Sequence, residues 1–183
     1  IFAFAALKRG GEVVTWGSNS YGGDSSSVRG ELSANVTAVF SSHGAFAALK
    51  QGGEVVTWGD EVRGGNSSSV SSELSANVTA VFSSYGAFAA LKQGGEVVTW
   101  GNDGHGGDSS SVSSELSANV TAVFSSYGAF AALKQGGEVV TWGSEWGGGD
   151  SSSVSSELSA NVTAVFSSYG AFAALKQGGE VVT

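Results

Sequence analysis

The chain has 183 residues, a formal net charge of −8 and only eight basic residues. The basic residues are spread along the sequence, which excludes the clustered Lys and Arg that nucleic-acid binding requires. The absence of Cys excludes a disulfide framework and a thiolate metal site, and no apolar run approaches the roughly 20 residues that span a bilayer.

In chain order, the opening IFAFAAL reads as a copy of an internal repeat and not as a signal peptide. AFAALK begins at Ala3 and recurs at Ala45, Ala87, Ala129 and Ala171. Each copy leads through a Gly pair into EVVT, and the first four continue to Trp-Gly. The Trp residues at 16, 58, 100 and 142 set a period of 42, the mark of a solenoid, propeller or array. The units run at about 1–42, 43–84, 85–126 and 127–168, with a partial unit at 169–183. The chain lacks Met, so we expect a mature product or a piece of a longer protein, a window on a longer repetitive array.

AFAALK has no helical spacing, and EVVTW is rich in β-branched and aromatic residues, so the pair predicts a β-hairpin. Gly52 and Gly53 are expected to supply the positive φ angles of its turn. NVTAVFSS, Asn77 to Ser84, predicts a third strand, turned into the next AFAALK by Tyr85-Gly86. The result is a three-stranded antiparallel meander. AFAAL and TAVF are apolar at successive positions, so both faces of each sheet should be covered by neighbouring sheets. One Trp is expected at each sheet junction. SSELSA predicts a single helical turn with Ser72 as N-cap, and the remainder of the connecting segment is expected to be loop. Lys8 with Glu12, Lys50 with Glu54 and Lys92 with Glu96 are expected to be exposed cross-strand pairs.

The pattern formed by Val78, Val81, Ser83, Ala87 to Leu91, Gly95, Val97, Trp100, Gly101 and Gly107 resembles the repeat of the regulator of chromosome condensation family. The short period is similar to that of β-lactamase inhibitory protein II, a compact-bladed member. The resemblance implies an all-β fold of propeller blades, usually seven in a ring, and a capacity to bind proteins. Seven such units need about 294 residues. The first and last units both carry AFAALK and EVVT, so the ends duplicate strands rather than share one. We therefore expect three- to four-stranded antiparallel blades in an open array, with Phe4 and Leu7 exposed at one end and Phe172 and Leu175 at the other.

The copies differ mainly in the four residues after each Trp-Gly: Ser18 to Tyr21, Asp60 to Arg63, Asn102 to His105 and Ser144 to Gly147. They read either as recognition loops, with Tyr21, Arg63, His105 and Trp146 as the candidate contacts, or as loops drifting because they carry no packing. Asn35, Asn77, Asn119 and Asn161 each begin an Asn-Val-Thr triplet, which is either a glycosylation acceptor or a strand start closed by Asn. Asn66-Ser67-Ser68 is a further match. Asp24, Asp108 and Asp150, with Asn66 in the equivalent place, are either calcium ligands or turn residues bonded to their own backbone. His43 stands where the other units have Tyr85, Tyr127 and Tyr169, and reads as an ordinary turn aromatic. No acid pair or nucleophile stands apart from the repeat, so neither catalysis nor a cofactor is expected. The expected function is that of a structural repeat protein, self-associating head to tail in an extracellular fibre or cell-surface assembly. The alternative is a protein-binding propeller that grips its partner through the variable loops.

Overall fold

The computed structural model describes residues 2–183. Strands β1 (Ala3–Leu7) and β2 (Val13–Gly17) form a two-stranded hairpin. Three complete sheets follow: β3 (Val36–Ser41), β4 (Ala45–Lys50) and β5 (Val55–Gly59); β6 (Val78–Ser83), β7 (Ala87–Lys92) and β8 (Val97–Gly101); β9 (Val120–Ser125), β10 (Ala129–Lys134) and β11 (Val139–Gly143). The last sheet contains β12 (Val162–Ser167), β13 (Phe172–Lys176) and the two-residue β14 (Val181–Val182). All pairings are antiparallel meanders, as the hairpin pattern predicts. Among the described residues the first and last sheets are not paired with each other, and the array is open.

Only the second Gly of each hairpin pair has a positive φ: Gly53 stands at 78°, whereas Gly52 is absent from the left-handed region. A Cβ on Gly53 would lie 2.7 Å from the backbone nitrogen of Asn77, so this turn needs Gly both for its conformation and for the approach of the next strand. Asn35, Asn77, Asn119 and Asn161 sit in the left-handed region at φ 63–65°, a conformation that Asn tolerates better than most residues. The carbonyl of Asn77 accepts from the Gln93 N–H at 2.8 Å, and the register slips between Val78 and Ala80 immediately afterwards. Asn and bulge together start each inner strand.

The central strands bury both faces, and the two faces serve different neighbours. On β4, Ala45, Ala47 and Leu49 pack forward with Leu74, Val78, Phe88 and Trp100 of the following unit. Phe46 and Ala48 pack backward with Val13, Leu32 and Val36. Small residues on one sheet therefore face large aromatics on the next, which lets the sheets approach closely. Trp58, Trp100 and Trp142 are 2–3% exposed and fill these junctions as expected. Trp16, on the first sheet, is 51% exposed because no sheet covers its face.

The ends depart from expectation in one respect. Phe4 and Leu7 are exposed, but Phe172 and Leu175 are only half-buried, not exposed. Phe172 points back into the stack, where it packs with Val162, Val165 and Ala174. The exposed apolar residues of the last sheet are Phe166 and Val181.

The connecting segments are more ordered than the sequence indicates. Among the described residues no α-helix forms, but the segments expected to be loop contain 3-10 turns such as Ser68–Val70 and Asp103–His105. Glu73–Ser75 makes the expected turn, although the Ser72 side chain forms no capping bond to it and instead donates to Glu73. In the third and fourth units the equivalent of Glu73–Ser75 is no longer a 3-10 helix. Of the hairpin pairs, Lys8 and Glu12 are exposed as expected, but Lys50 and Lys92 are not: each Lys side chain is only 18% exposed because it lies along the sheet, with Lys50 3.6 Å from Glu54.

Candidate protein-recognition face

Each variable turn hangs from a fixed backbone frame. In the second unit Asp60 N–H donates to Gly44 O at 2.9 Å, Arg63 N–H to Asp60 O at 3.2 Å, and Gly65 N–H to Asp60 O at 2.8 Å. The same pattern holds at Asn102, His105 and Gly107, and at Ser144, Gly147 and Gly149. Buried Ser84 donates its hydroxyl to His105 O at 2.7 Å, and Ser126 does the same to Gly147 O. After the turn, Gly64 (φ 98°) lies flat on the ring of Phe88, leaving no room for a side chain. Main chain, repeat Ser and Gly hold the turn, so its four side chains vary without unfolding it.

Those four side chains divide into two pairs. The first and fourth turn inward. Arg63 Nη1 meets Asp60 Oδ2 at 2.6 Å, and His105 Nδ1 lies 2.8 Å from Asn102 Oδ1, a bond that places the proton on Nδ1. Burial opposes the charge of Arg63, but the hydrogen bond and charge of Asp60 outweigh it and raise its pKa. Burial, with the nearby Arg63 charge, lowers the pKa of His105. In the second and third turns the inner residues vary as bonded pairs, Asp60 with Arg63 and Asn102 with His105.

The inner pair abuts a ladder of rings. His43, Tyr85, Tyr127 and Tyr169 stack with centroids 4.4, 4.6 and 4.8 Å apart. Their backbones are linked in the same sense, His43 N–H to Tyr85 O at 2.9 Å, then Tyr85 to Tyr127 and Tyr127 to Tyr169 at 2.8 Å. Tyr21 meets His43 edge-on, and His105 lies against both Tyr85 and Tyr127. His43 is therefore part of a continuous stack and not an isolated turn aromatic; its Nδ1 is buried without a partner. Desolvation, with the neighbouring tyrosines, raises the pKa of Tyr127.

The second and third residues of each turn point out. Asn19 and Ser20, Glu61 and Val62, Asp103 and Gly104, and Glu145 and Trp146 are all exposed. Val62 is 63% exposed and Trp146 93%. Of the four sequence candidates, Tyr21, Arg63 and His105 thus belong to the inner set, and Trp146 alone projects from the face. The residue in register with Arg63 and His105 is Gly147, which is buried. Glu61, Val62 and Asp103 were not singled out from the sequence; the signal available was the pairing of Asp60 with Arg63 and of Asn102 with His105.

The remaining candidates lie elsewhere. Asp24, Asn66, Asp108 and Asp150 each accept from a Ser backbone N–H two residues on, at 2.8–3.0 Å. The three carboxyls are held below their ordinary range mainly by that bond. Their oxygens serve the turn, and among the described residues no group of three or more His, Asp or Glu is placed to hold a metal ion. Asn35, Asn77, Asn119 and Asn161 are exposed. Each following Thr donates its hydroxyl to a main-chain carbonyl, as Thr79 does to Leu91 O at 3.1 Å.

No family model and no curated protein matches the sequence. Solved structures share its fold. Human WBSCR16 superposes with a TM-score of 0.60 at 20% identity, over 98% of this chain and 58% of that one. Prp20p from Saccharomyces cerevisiae, characterised with its binding to Gsp1p and histones, gives 0.61 at 18% identity, over 98% and 54%. The ectodomain of the Physcomitrella patens receptor kinase CR4 gives 0.57 at 15% identity, over 98% and 48%. The chain spans about half the length of these structures. At such identities the likeness shows the fold, and the fold is a run of propeller blades of the kind found in yeast RCC1.

Proposed function

We propose that this chain is a non-catalytic, blade-built binding module that recognises a protein partner through the outer residues of its variable turns. The observation that carries this reading is the division of each turn. The first and fourth residues of each turn face inward, and the two that point out vary between turns, with acidic or apolar side chains in the second, third and fourth turns. Trp and other large side chains in desolvated positions dominate protein interfaces, and charge complementarity steers their association. Glu61, Asp103 and Glu145 beside Val62 and Trp146 suit a basic partner surface with an apolar pocket. The protein binding of Prp20p agrees with this reading by analogy of fold.

Photo-crosslinking tests it. A photoreactive phenylalanine at Trp146 should capture a discrete basic partner from the native source, and one at Lys92, on a hairpin tip, should not. Capture of the same proteins from both positions overturns the reading.

A second reading, an assembly of copies in a fibre or surface layer, is favoured by the near-identity of the repeat units, which makes each junction the same contact. Both readings fit an extracellular or cell-surface location, for which the exposed Asn row provides a check. In material from a eukaryotic native source, glycosidase treatment should lower the intact mass. An unchanged mass leaves these residues as strand starts only.

A further inference from the structure

Tyr85 and Tyr127 lie one repeat apart, Tyr85 at the turn between β6 and β7 and Tyr127 at the turn between β9 and β10. Both turns lie inside the array. The Tyr85 N–H donates to Tyr127 O at 2.8 Å. That bond sets the two backbones at about the 4.8 Å spacing of hydrogen-bonded strands. The rings follow it, with centroids 4.6 Å apart and planes 31° from parallel. The phenols are neighbours too: desolvation first, then the Tyr85 and Tyr169 phenols, raise the pKa of Tyr127. Tyr127 is 37% exposed and Tyr85 half-buried, so the pair is open to an oxidant in solution.

Little else in the folded chain competes for that oxidant. The sequence holds neither Cys nor Met, whose sulfur ordinarily takes oxidising equivalents first. Trp58, Trp100 and Trp142 are shut inside the junctions at 2–3% exposure. Trp16 and Trp146 are the exposed indoles. Oxidation of an indole adds oxygen, whereas coupling of two phenols removes hydrogen, so the two outcomes differ in mass.

We propose that Tyr85 and Tyr127 form an oxidative cross-linking site, at which a one-electron oxidant joins the two rings carbon to carbon and ties the third sheet to the fourth. The oxidant is of the haem peroxidase class, acting with hydrogen peroxide. Each phenol loses an electron and its hydroxyl proton, and the two phenoxyl radicals join at carbons ortho to oxygen. The hydrogens on those carbons then pass through solvent to the oxygens, restoring both phenols. In total two electrons and two protons leave, and they reduce one hydrogen peroxide to two waters. Radicals on stacked rings meet by rotation of two side chains, whereas free phenols must first collide. The product closes a loop of 42 residues, a constraint on the unfolded chain that no disulfide supplies in a sequence without Cys. His43, the preceding member of the ladder, carries no phenol, so the link begins at Tyr85. The site is independent of the recognition face and of assembly.

Oxidation of the dilute 183-residue chain by a haem peroxidase with hydrogen peroxide tests the proposal, read by intact mass, dityrosine fluorescence and peptide mapping. The expected product keeps the size of a single copy under denaturing conditions, is lighter by two hydrogens, and joins the Tyr85 and Tyr127 peptides. Tyr127→Phe keeps a ring in the stack and should abolish the link, with circular dichroism confirming the fold. Tyr85→Phe should leave only a link from Tyr127 to Tyr169, whose rings stand 4.8 Å apart. Chain unfolded in urea before oxidation should lose the link, and the linked chain should unfold at higher urea than the untreated one. No link, a link that forms as readily in urea, a link only between different copies, or an undiminished yield in Tyr127→Phe overturns the site. A Tyr85–Tyr127 link that leaves the urea midpoint unchanged overturns its role as a tie between sheets.

Discussion

The indole of Trp100 donates to the carbonyl of Gly64, 36 residues earlier, at 3.0 Å, while its ring stacks on Phe88 at 5.3 Å. One side chain thus ties a sheet to the turn of the preceding unit and fills the space between them. Trp100→Ala should cost about 3–5 kcal/mol in urea unfolding, the usual loss for a buried large aromatic. Trp100→Phe should cost less in packing but leave the buried Gly64 carbonyl unpaired, at about 1–3 kcal/mol. Trp16→Ala, at a ring that is 51% exposed, should cost less than about 1 kcal/mol, far below a core truncation. Equal losses at Trp16 and Trp100 would contradict the junction.

Gly64 shows where the turn tolerates no side chain. A Cβ there would meet the Phe88 ring at 2.5 Å, on a backbone already at φ 98°. Gly64→Ala should destabilise by roughly 1–3 kcal/mol from the conformation alone, with further loss from displacement of the ring. Gly94→Ala, at a hairpin position with nothing within 4 Å of the added carbon, should stay within about 0.5 kcal/mol of the parent. The pair of unfolding midpoints checks both.

His43 stands at the end of a stack of tyrosines and, among the described residues, buries a nitrogen that has no partner. His43→Tyr restores the side chain of the other units and should stabilise the chain by about 0.5–2 kcal/mol, the range of consensus substitutions. A loss of stability would show that the second unit is shaped around histidine.

Two sets of groups give a pH dependence of known sign. Burial, with Arg63, keeps His105 below its ordinary 6.5, so the folded chain binds this proton less readily than the unfolded chain. Its contribution to stability is complete above that value and falls as the pH drops through it toward the folded pKa. Asp24, Asp108 and Asp150 act likewise below 3.8, because protonation replaces a charged acceptor of the turn bond with a weaker neutral one. Proton NMR should place His105 below the ordinary histidine midpoint, and Arg63→Gln should raise it. An unchanged midpoint would show that the inner residues of adjacent turns do not sense one another.

The strands were legible because each carries its own signal: β-branched residues in EVVTW, a Gly pair at the hairpin, and Trp at a fixed spacing. The continuous apolar run of AFAAL also reported burial on both faces. Asn77 was ambiguous because the Asn-Val-Thr triplet suits both a glycan acceptor and a left-handed strand start. The hairpin Gly pair looked equivalent in sequence; only the approach of Asn77 to Gly53 separates them. The recognition face was half legible. Variation marked the turns, but variation alone does not tell an inward side chain from an outward one. Trp146 stands one residue off the register that Tyr21, Arg63 and His105 share, and it is the one candidate that faces solvent.

The division of each turn into an inner structural pair and an outer recognition pair is tested most directly by measuring stability and partner capture together on two variants. Val62→Ser with Trp146→Ser alters only exposed outer residues. Asp60→Ala with Arg63→Ala removes an inner pair. The account expects the outer variant to keep its unfolding midpoint and lose the partner captured by the parent chain. It expects the inner variant to unfold earlier but, below its midpoint, to capture that partner still. Retention of the partner by the outer variant, with its loss by the folded inner variant, would contradict the assignment of the face.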